Sequence, residues 1–168
     1  MRHDDSVATT IAALKCELAK EVLLSSGSLR FPAIGRSMLP AVWPGDTLVV
    51  ERVSVDGVHV GDVMVVGRQG RLCAHRVIAK AGDSENPKWI TQGDALPVPD
   101  CPVAENELLG RVGYVIRKGR LIALASELSA VEKLIAKIVR RSILAARALV
   151  YLNRLRRTSE QSVLPCQG

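Results

Sequence analysis

Residues 108–124 read Leu-Leu-Gly-Arg-Val-Gly-Tyr-Val-Ile-Arg-Lys-Gly-Arg-Leu-Ile-Ala-Leu, and this stretch decides the fold class. A β-branched and aromatic run from Val112 to Ile116 is followed by an apolar run from Leu121 to Leu124, with Lys118-Gly119 between them. Two such runs joined at a glycine-containing pair specify a tight hairpin, since the turn that matches strand twist needs positive φ. Working outward, the same signature recurs upstream. Short β-branched runs lie at 47–53, 63–66, 71–78 and 89–92, separated by Gly, Pro, Asp and Asn. Gly45-Asp46 and Gly61-Asp62 read as turns that start strands, and the chain from Leu29 to Leu124 is expected to be mainly β.

On either side the hydrophobic period lengthens to that of a helix. Asp5 or Ser6 can cap a helix bearing Ile11, Leu14, Leu18, Val22 and Leu23, which Ser25-Ser-Gly27 ends. After Ser126, residues such as Leu128, Leu134, Ile138, Leu149 and Leu152 fall along one side of a long or broken helix, with Lys and Arg around the rest. The expected organisation is an N-terminal helix over 1–27, a β domain over 28–125, a basic amphipathic helix over 126–157 and a loose tail over 158–168.

With 168 residues, 48% of them hydrophobic, the chain can bury one substantial core. Its formal charge of +6 is uneven. Lys133, Lys137, Arg140, Arg141, Arg147, Arg154, Arg156 and Arg157 follow one another with no acidic residue among them, leaving a body close to neutral. That segment suits an anionic membrane surface, a second copy of the chain or packing on its own domain, but Arg140, Arg141 and Arg147 keep it from spanning a bilayer. Lys15, Glu17, Lys20 and Glu21 interrupt the N-terminal apolar runs well short of the ~18 residues a span requires, and they exclude a signal peptide. The expected location is cytoplasmic or at a membrane periphery. Aromatics are 3% of the chain, so the stacking platforms of single-strand binders are missing and no nucleic-acid partner is expected. Cys16, Cys73, Cys101 and Cys166 form neither a CxxC pair nor a dense framework, so neither a disulfide scaffold, a structural metal nor a cofactor is expected.

One turn carries candidate chemistry: Ile34-Gly-Arg-Ser-Met-Leu-Pro40. Gly35 permits close approach of another chain, while Pro40 and Trp43-Pro-Gly45 fix the loop, so Ser37 is held at the sheet edge. A lone serine in a turn is more often a turn former than a nucleophile, and a nucleophilic serine needs a base. Of the three histidines, His3 sits in an N-terminal stretch expected to be disordered and His59 in a polar connector. His75 lies in Arg71-Leu-Cys-Ala-His-Arg-Val-Ile78, where alternation puts Cys73, His75 and Val77 on one face and Leu72, Ala74, Arg76 and Ile78 on the other. A half-buried structural histidine is the plainer reading, and a Cys73–His75 metal pair lacks further ligands at suitable spacing.

Taken in order, Gly-x-Ser-Met-x-Pro with the following Gly45-Asp46, the strand bearing Ala74-His-Arg-Val77, and Gly93-Asp94 within Thr91-Gln-Gly-Asp-Ala-Leu-Pro-Val-Pro-Asp100 resemble the type I signal peptidase family, part of a clan that includes the LexA-like self-cleaving repressors. The resemblance covers roughly Leu29 to Val115. The bacterial branch uses a serine and lysine dyad, whereas the branch typified by the endoplasmic-reticulum catalytic subunit carries histidine, as this chain does at His75. The resemblance implies a signal peptidase-like β catalytic core, Ser37 as nucleophile, His75 as general base, and Asp94 and Asp100 at the two acidic positions, Asp100 being the better match to the group that orients the ring. It implies an extended leader or signal peptide as substrate, laid beside Phe31 to Ile34 and the strand around Cys73 and cleaved after small residues. The Ser37 backbone N–H is the candidate oxyanion donor, with Gly35, Met38 and Cys73 bordering the substrate; Gly35 stands where the bacterial branch has a hydroxyl, so a second donor is unassigned.

Two other readings compete: a catalytically silent peptide-binding module and a LexA-like self-cleaving regulator. The latter is weakened by the absent lysine and DNA-binding domain, and by Ala81-Gly82 falling after the nucleophile instead of before it. Asp94 has an equally good structural role, tying its loop to backbone amides. No transmembrane anchor accompanies the motifs, so the basic C-terminal helix replaces it or the substrate is soluble.

Overall fold

The computed structural model describes residues 2–68, 70–83 and 86–161. Helix α1 (Arg2–Ser26) leads into β1 (Ser28–Pro32), β2 (Thr47–Glu51), β3 (Val63–Arg68), β4 (Arg71–Gly82), β5 (Pro87–Gln92), β6 (Val103–Ala104), β7 (Leu108–Arg117) and β8 (Arg120–Ala123). Helices α2 (Ala130–Arg141) and α3 (Ile143–Gln161) follow. All the strands belong to one antiparallel sheet in the order β1-β2-β7-β3-β4-β5-β6, with β8 paired to β7. The fold is mainly β with terminal helices.

The predicted hairpin is the spine of the sheet. Lys118 and Gly119 both have positive φ, 51° and 74°, as a turn matching the strand twist requires. Strand β7 is long enough to hold β3 along 108–111, β2 along 111–116 and β8 along 114–117. Register shifts between Val49 and Val50 and between Val65 and Val66 bend the strands. Strand β4 pairs with β3 through Arg76 and with β5 from Arg76 onward, so residues 71–75 have a partner strand on one side only.

The terminal elements depart from the sequence reading. Helix α1 begins at Arg2, so His3 falls within a helix and not in a disordered start. The C-terminal segment is two helices, broken where Ser142 is extended and its hydroxyl accepts from the Ala145 N–H, serving as a cap for α3. Residues 158–161 continue α3 instead of forming a loose tail, and 162–168, with Cys166, lie outside the described residues. Among the described residues, no helix is long and apolar enough to cross a membrane.

Three buried clusters hold the sheet together, each fully buried Val, Leu or Met contributing about 1.5–3 kcal/mol. One joins Leu23 of α1 to Leu48, Val50, Val63, Val65, Val112 and Val115, and takes in Met38. A second packs Leu39 and Ala95 against Val139 of α2 and Ala146 of α3, with Trp43 alongside. The third gathers Val58, Met64, Val77 and Trp89. Met38 and Leu39 are thus consecutive residues driven into two different cores, at 4% and 0% exposure, and the turn that begins with Ser37 is pinned between them. The C-terminal helices therefore share a core with the β domain.

Candidate active site

The turn is fixed from three directions. Val42 donates to the Met38 carbonyl at 2.9 Å, and the Leu39-Pro40 peptide is cis. Behind it Asp46, wholly buried, accepts from the Trp43 backbone N–H at 2.8 Å and from Arg117 Nη2 at 2.7 Å; Arg117 also donates to the Ala41 carbonyl at 2.9 Å. Asp46 thus anchors the loop to β7 through a charge-assisted pair, beyond the turn role read from its Gly-Asp context. In front, the Ala95 N–H donates to the Ser37 carbonyl at 2.7 Å, joining the turn to the loop after β5.

This placement brings three of the four catalytic candidates together. His75 Nε2 lies 3.1 Å from Ser37 Oγ, and His75 Nδ1 lies 2.6 Å from Asp100 Oδ2. A carboxylate acceptor at Nδ1 keeps the proton on that nitrogen and leaves the Nε2 lone pair to accept from the Ser37 hydroxyl. His75 is 7% exposed, held where both faces of β4 are covered, since Arg76 and Val77 beside it are also buried. Asp100 is itself positioned: Thr91 Oγ1 donates to the same Oδ2 at 2.7 Å, and the Asp100 N–H donates to the Thr91 carbonyl at 2.8 Å. Thr91, 1% exposed, has the look in sequence of an ordinary strand residue, and nothing there distinguishes it.

Farther along, Arg68 donates to both Glu107 oxygens at 2.6 Å and to the Cys101 and Pro102 carbonyls, clamping the segment that follows Asp100 to β3. Those hydrogen bonds hold the Glu107 carboxyl down at about 2.

Asp94 does not join the histidine. The guanidinium of Arg76, one residue beyond His75 on β4, takes both its oxygens, Nε to Oδ1 and Nη2 to Oδ2, each at 2.9 Å in a buried pair. Arg76 Nη1 also donates to the carbonyls of Gly61, Ala125 and Ser126, and Arg140 of α2 donates to the Asp94 carbonyl at 2.9 Å. Asp94 is accordingly a structural hub linking β4, the loop after β5 and α2. Its neighbour Gly93 has the sharper link to Ser37: a Cβ there would stand 2.6 Å from the Ser37 carbonyl oxygen. The glycine of that Gly-Asp pair is what lets the two loops touch.

Beside Ser37 opens a cavity of about 560 Å³ between α1 and two strand edges. Leu18, Ala19 and Val22 of α1 form one wall, Phe31 to Gly35 another, and Leu72, Cys73 and Ala74 a third, with Ser37 and Met38 at the lining. Gly35 has no crowding neighbour, since a Cβ there would lie 3.9 Å from Ser37 Oγ, so its missing side chain leaves room beside the hydroxyl. Cys73 keeps exposed surface, yet desolvation of its sulfur and then the Asp100 charge push the thiol above its ordinary value, keeping it protonated and a poor metal ligand or nucleophile. His59 is exposed beside Asp62. Among the described residues, no group of three or more His, Cys, Asp or Glu converges on a metal-sized site.

The arrangement can deprotonate a hydroxyl, store the proton on an oriented imidazole and return it to a leaving group, within reach of unpaired strand edges. No family model, curated protein or solved structure matches this chain.

Proposed function

We propose that the chain is a serine endopeptidase of the signal peptidase-like type with a histidine base. The observation that carries this is the continuous line Ser37 Oγ, His75 ring, Asp100 carboxylate, with contacts of 3.1 and 2.6 Å. In the reaction Ser37 Oγ attacks the scissile carbonyl as its proton passes to His75 Nε2, and the imidazolium is stabilised by Asp100. His75 then gives that proton to the departing amine, which breaks the C–N bond and leaves an ester on Ser37. Water, deprotonated by the same nitrogen, hydrolyses the ester. The Ser37 N–H is the donor assigned to the developing oxyanion.

The substrate is an extended peptide. Residues 71–75 of β4 have an unpaired edge, β1 is the outermost strand on its side of the sheet, and both border the cavity next to Ser37. A peptide lying there gains main-chain hydrogen bonds by strand addition and places small apolar side chains against the lining before the scissile bond. The test is incubation with a peptide library made from denatured cell extract, with product ends mapped by mass spectrometry. Cleavages made by the wild-type chain and lost in both Ser37→Ala and His75→Ala support the assignment. Cleavages that persist in Ser37→Ala, or none by the folded wild-type chain, overturn it in favour of another site or a silent binding module.

A further inference from the structure

Among the described residues, the C-terminal helices carry two apolar stripes each, of which the fold covers one. On α2, Ala136 and Val139 are buried, while Val131, Leu134 and Ile138, recurring at helical spacing on another side, are 68%, 59% and 51% exposed. Helix α3 repeats the pattern with Ala146 buried and Leu144, Tyr151 and Leu152 at 74%, 62% and 57%. Six large apolar side chains on consecutive helices are thus left in water, where scattered single ones would need no explanation. Lys137 and Arg141 project beside the outer stripe of α2, and no acidic residue occurs anywhere from Lys133 to Arg157.

We propose that this outer face is a docking surface for an anionic membrane. Apolar side chains would enter the acyl boundary while the lysines and arginines beside them meet lipid phosphates, the arrangement of helices that lie in an interface plane. Charge decides the occupant: pairing with a second copy through this face would set cationic flanks against cationic flanks, since the nearest carboxylates, Glu127 and Glu132, lie ahead of the basic run and are already engaged by Lys133 and by the Ser129 cap. The inner stripes of these helices pack on Leu39, two residues past Ser37, so docking would hold the serine cleft at a fixed position relative to the lipid. That last consequence rests on the endopeptidase reading; the docking itself does not.

The test is co-sedimentation of the full chain with vesicles of phosphatidylcholine alone or mixed with phosphatidylglycerol, a measurement independent of peptide cleavage. Binding should require phosphatidylglycerol and fall as salt rises from about 0.1 to 1 M, where the screening length drops from ~10 to ~3 Å. The double variants Leu134→Glu/Ile138→Glu and Lys137→Glu/Arg141→Glu should each weaken it at least ~10-fold, with melting temperatures unchanged because these residues are exposed. Equal binding to both vesicle types, full binding by either folded variant, or absence of binding would overturn the proposal. So would a dimer in sedimentation velocity that Leu134→Glu/Ile138→Glu dissolves, which would make the occupant a second copy.

Discussion

Gly93→Ala adds one methyl group 18 positions in sequence from His75 and 56 from Ser37, yet it should impair catalysis more than stability. The added Cβ would stand 2.6 Å from the Ser37 carbonyl oxygen and 3.0 Å from Leu96 Cδ1. Leucine can rotate away; the carbonyl cannot, being main chain and already the acceptor of the Ala95 N–H at 2.7 Å. Ordinary contact begins near 3.4 Å, so the two loops must part by several tenths of an ångström. Overpacking of this kind costs about 1–3 kcal/mol. For a chain of this size that is roughly 2–4 °C in melting temperature per kcal/mol, leaving the protein folded at 25 °C. The same displacement moves Ser37 Oγ from its 3.1 Å contact with His75 Nε2, and a misplacement approaching 1 Å costs up to ~100-fold in rate. The assay is kcat and KM on a peptide found by library cleavage, read beside a circular-dichroism melt. A lower kcat with KM little changed is the expected result. Wild-type kcat in a folded Gly93→Ala protein would refute the reasoning, because the turn would then have yielded without moving the nucleophile.

The two aspartates should separate by phenotype: Asp100→Asn should lower kcat by roughly 10²- to 10⁴-fold with little change in melting, as an amide no longer stabilises the imidazolium. Asp94→Asn should instead cost about 3–5 kcal/mol of stability in urea unfolding, because Arg76 is left buried without its counter-charge. Thr91→Val removes one hydrogen bond to a charged group, worth ~1.5 kcal/mol, and should lower kcat by up to ~10-fold. The Arg68–Glu107 pair makes a pH prediction. Its carboxyl titrates near 2 when folded and near an ordinary 4.5 when unfolded, so its stabilisation is present above pH 4.5 and lost as pH falls through about 2; the melting-temperature gap between wild type and Glu107→Gln should close over that window. A gap independent of pH would refute it.

How much of this was legible before the structure depended on the range of the interaction. The hairpin at Lys118-Gly119 and the strands at 47–51, 63–68 and 71–82 follow from local period and turn chemistry, which a sequence displays directly. Ser37 and His75 stood out through their motif contexts, and the sheet brings them together over 38 positions. Between the two following aspartates, which sit in one loop, only the resemblance favours Asp100; the physical division is made by Arg76, whose guanidinium reaches Asp94 from the position next to His75. The roles of Thr91, Gly93 and Arg140 were not legible, because each acts through a contact with the backbone or carboxylate of another element. The amphipathic pattern after Ser126 leaves membrane, second copy and own domain open, because it reports that a face is buried without reporting against what; in the structure Val139 and Ala146 cover Leu39.

The central claim is that Ser37 Oγ is the atom acylated with His75 as its base, and it is tested most directly by trapping the ester. A cleaved peptide sequence, prepared as an activated p-nitrophenyl ester so that deacylation limits turnover, should give a burst of one nitrophenolate per chain. Acid quenching and fragmentation by mass spectrometry should find the acyl group on the peptide containing Ser37, and the burst should vanish in Ser37→Ala and slow at least ~100-fold in His75→Ala. An undiminished burst in Ser37→Ala, or an acyl group found on Cys73 in the same cleft, would contradict the account.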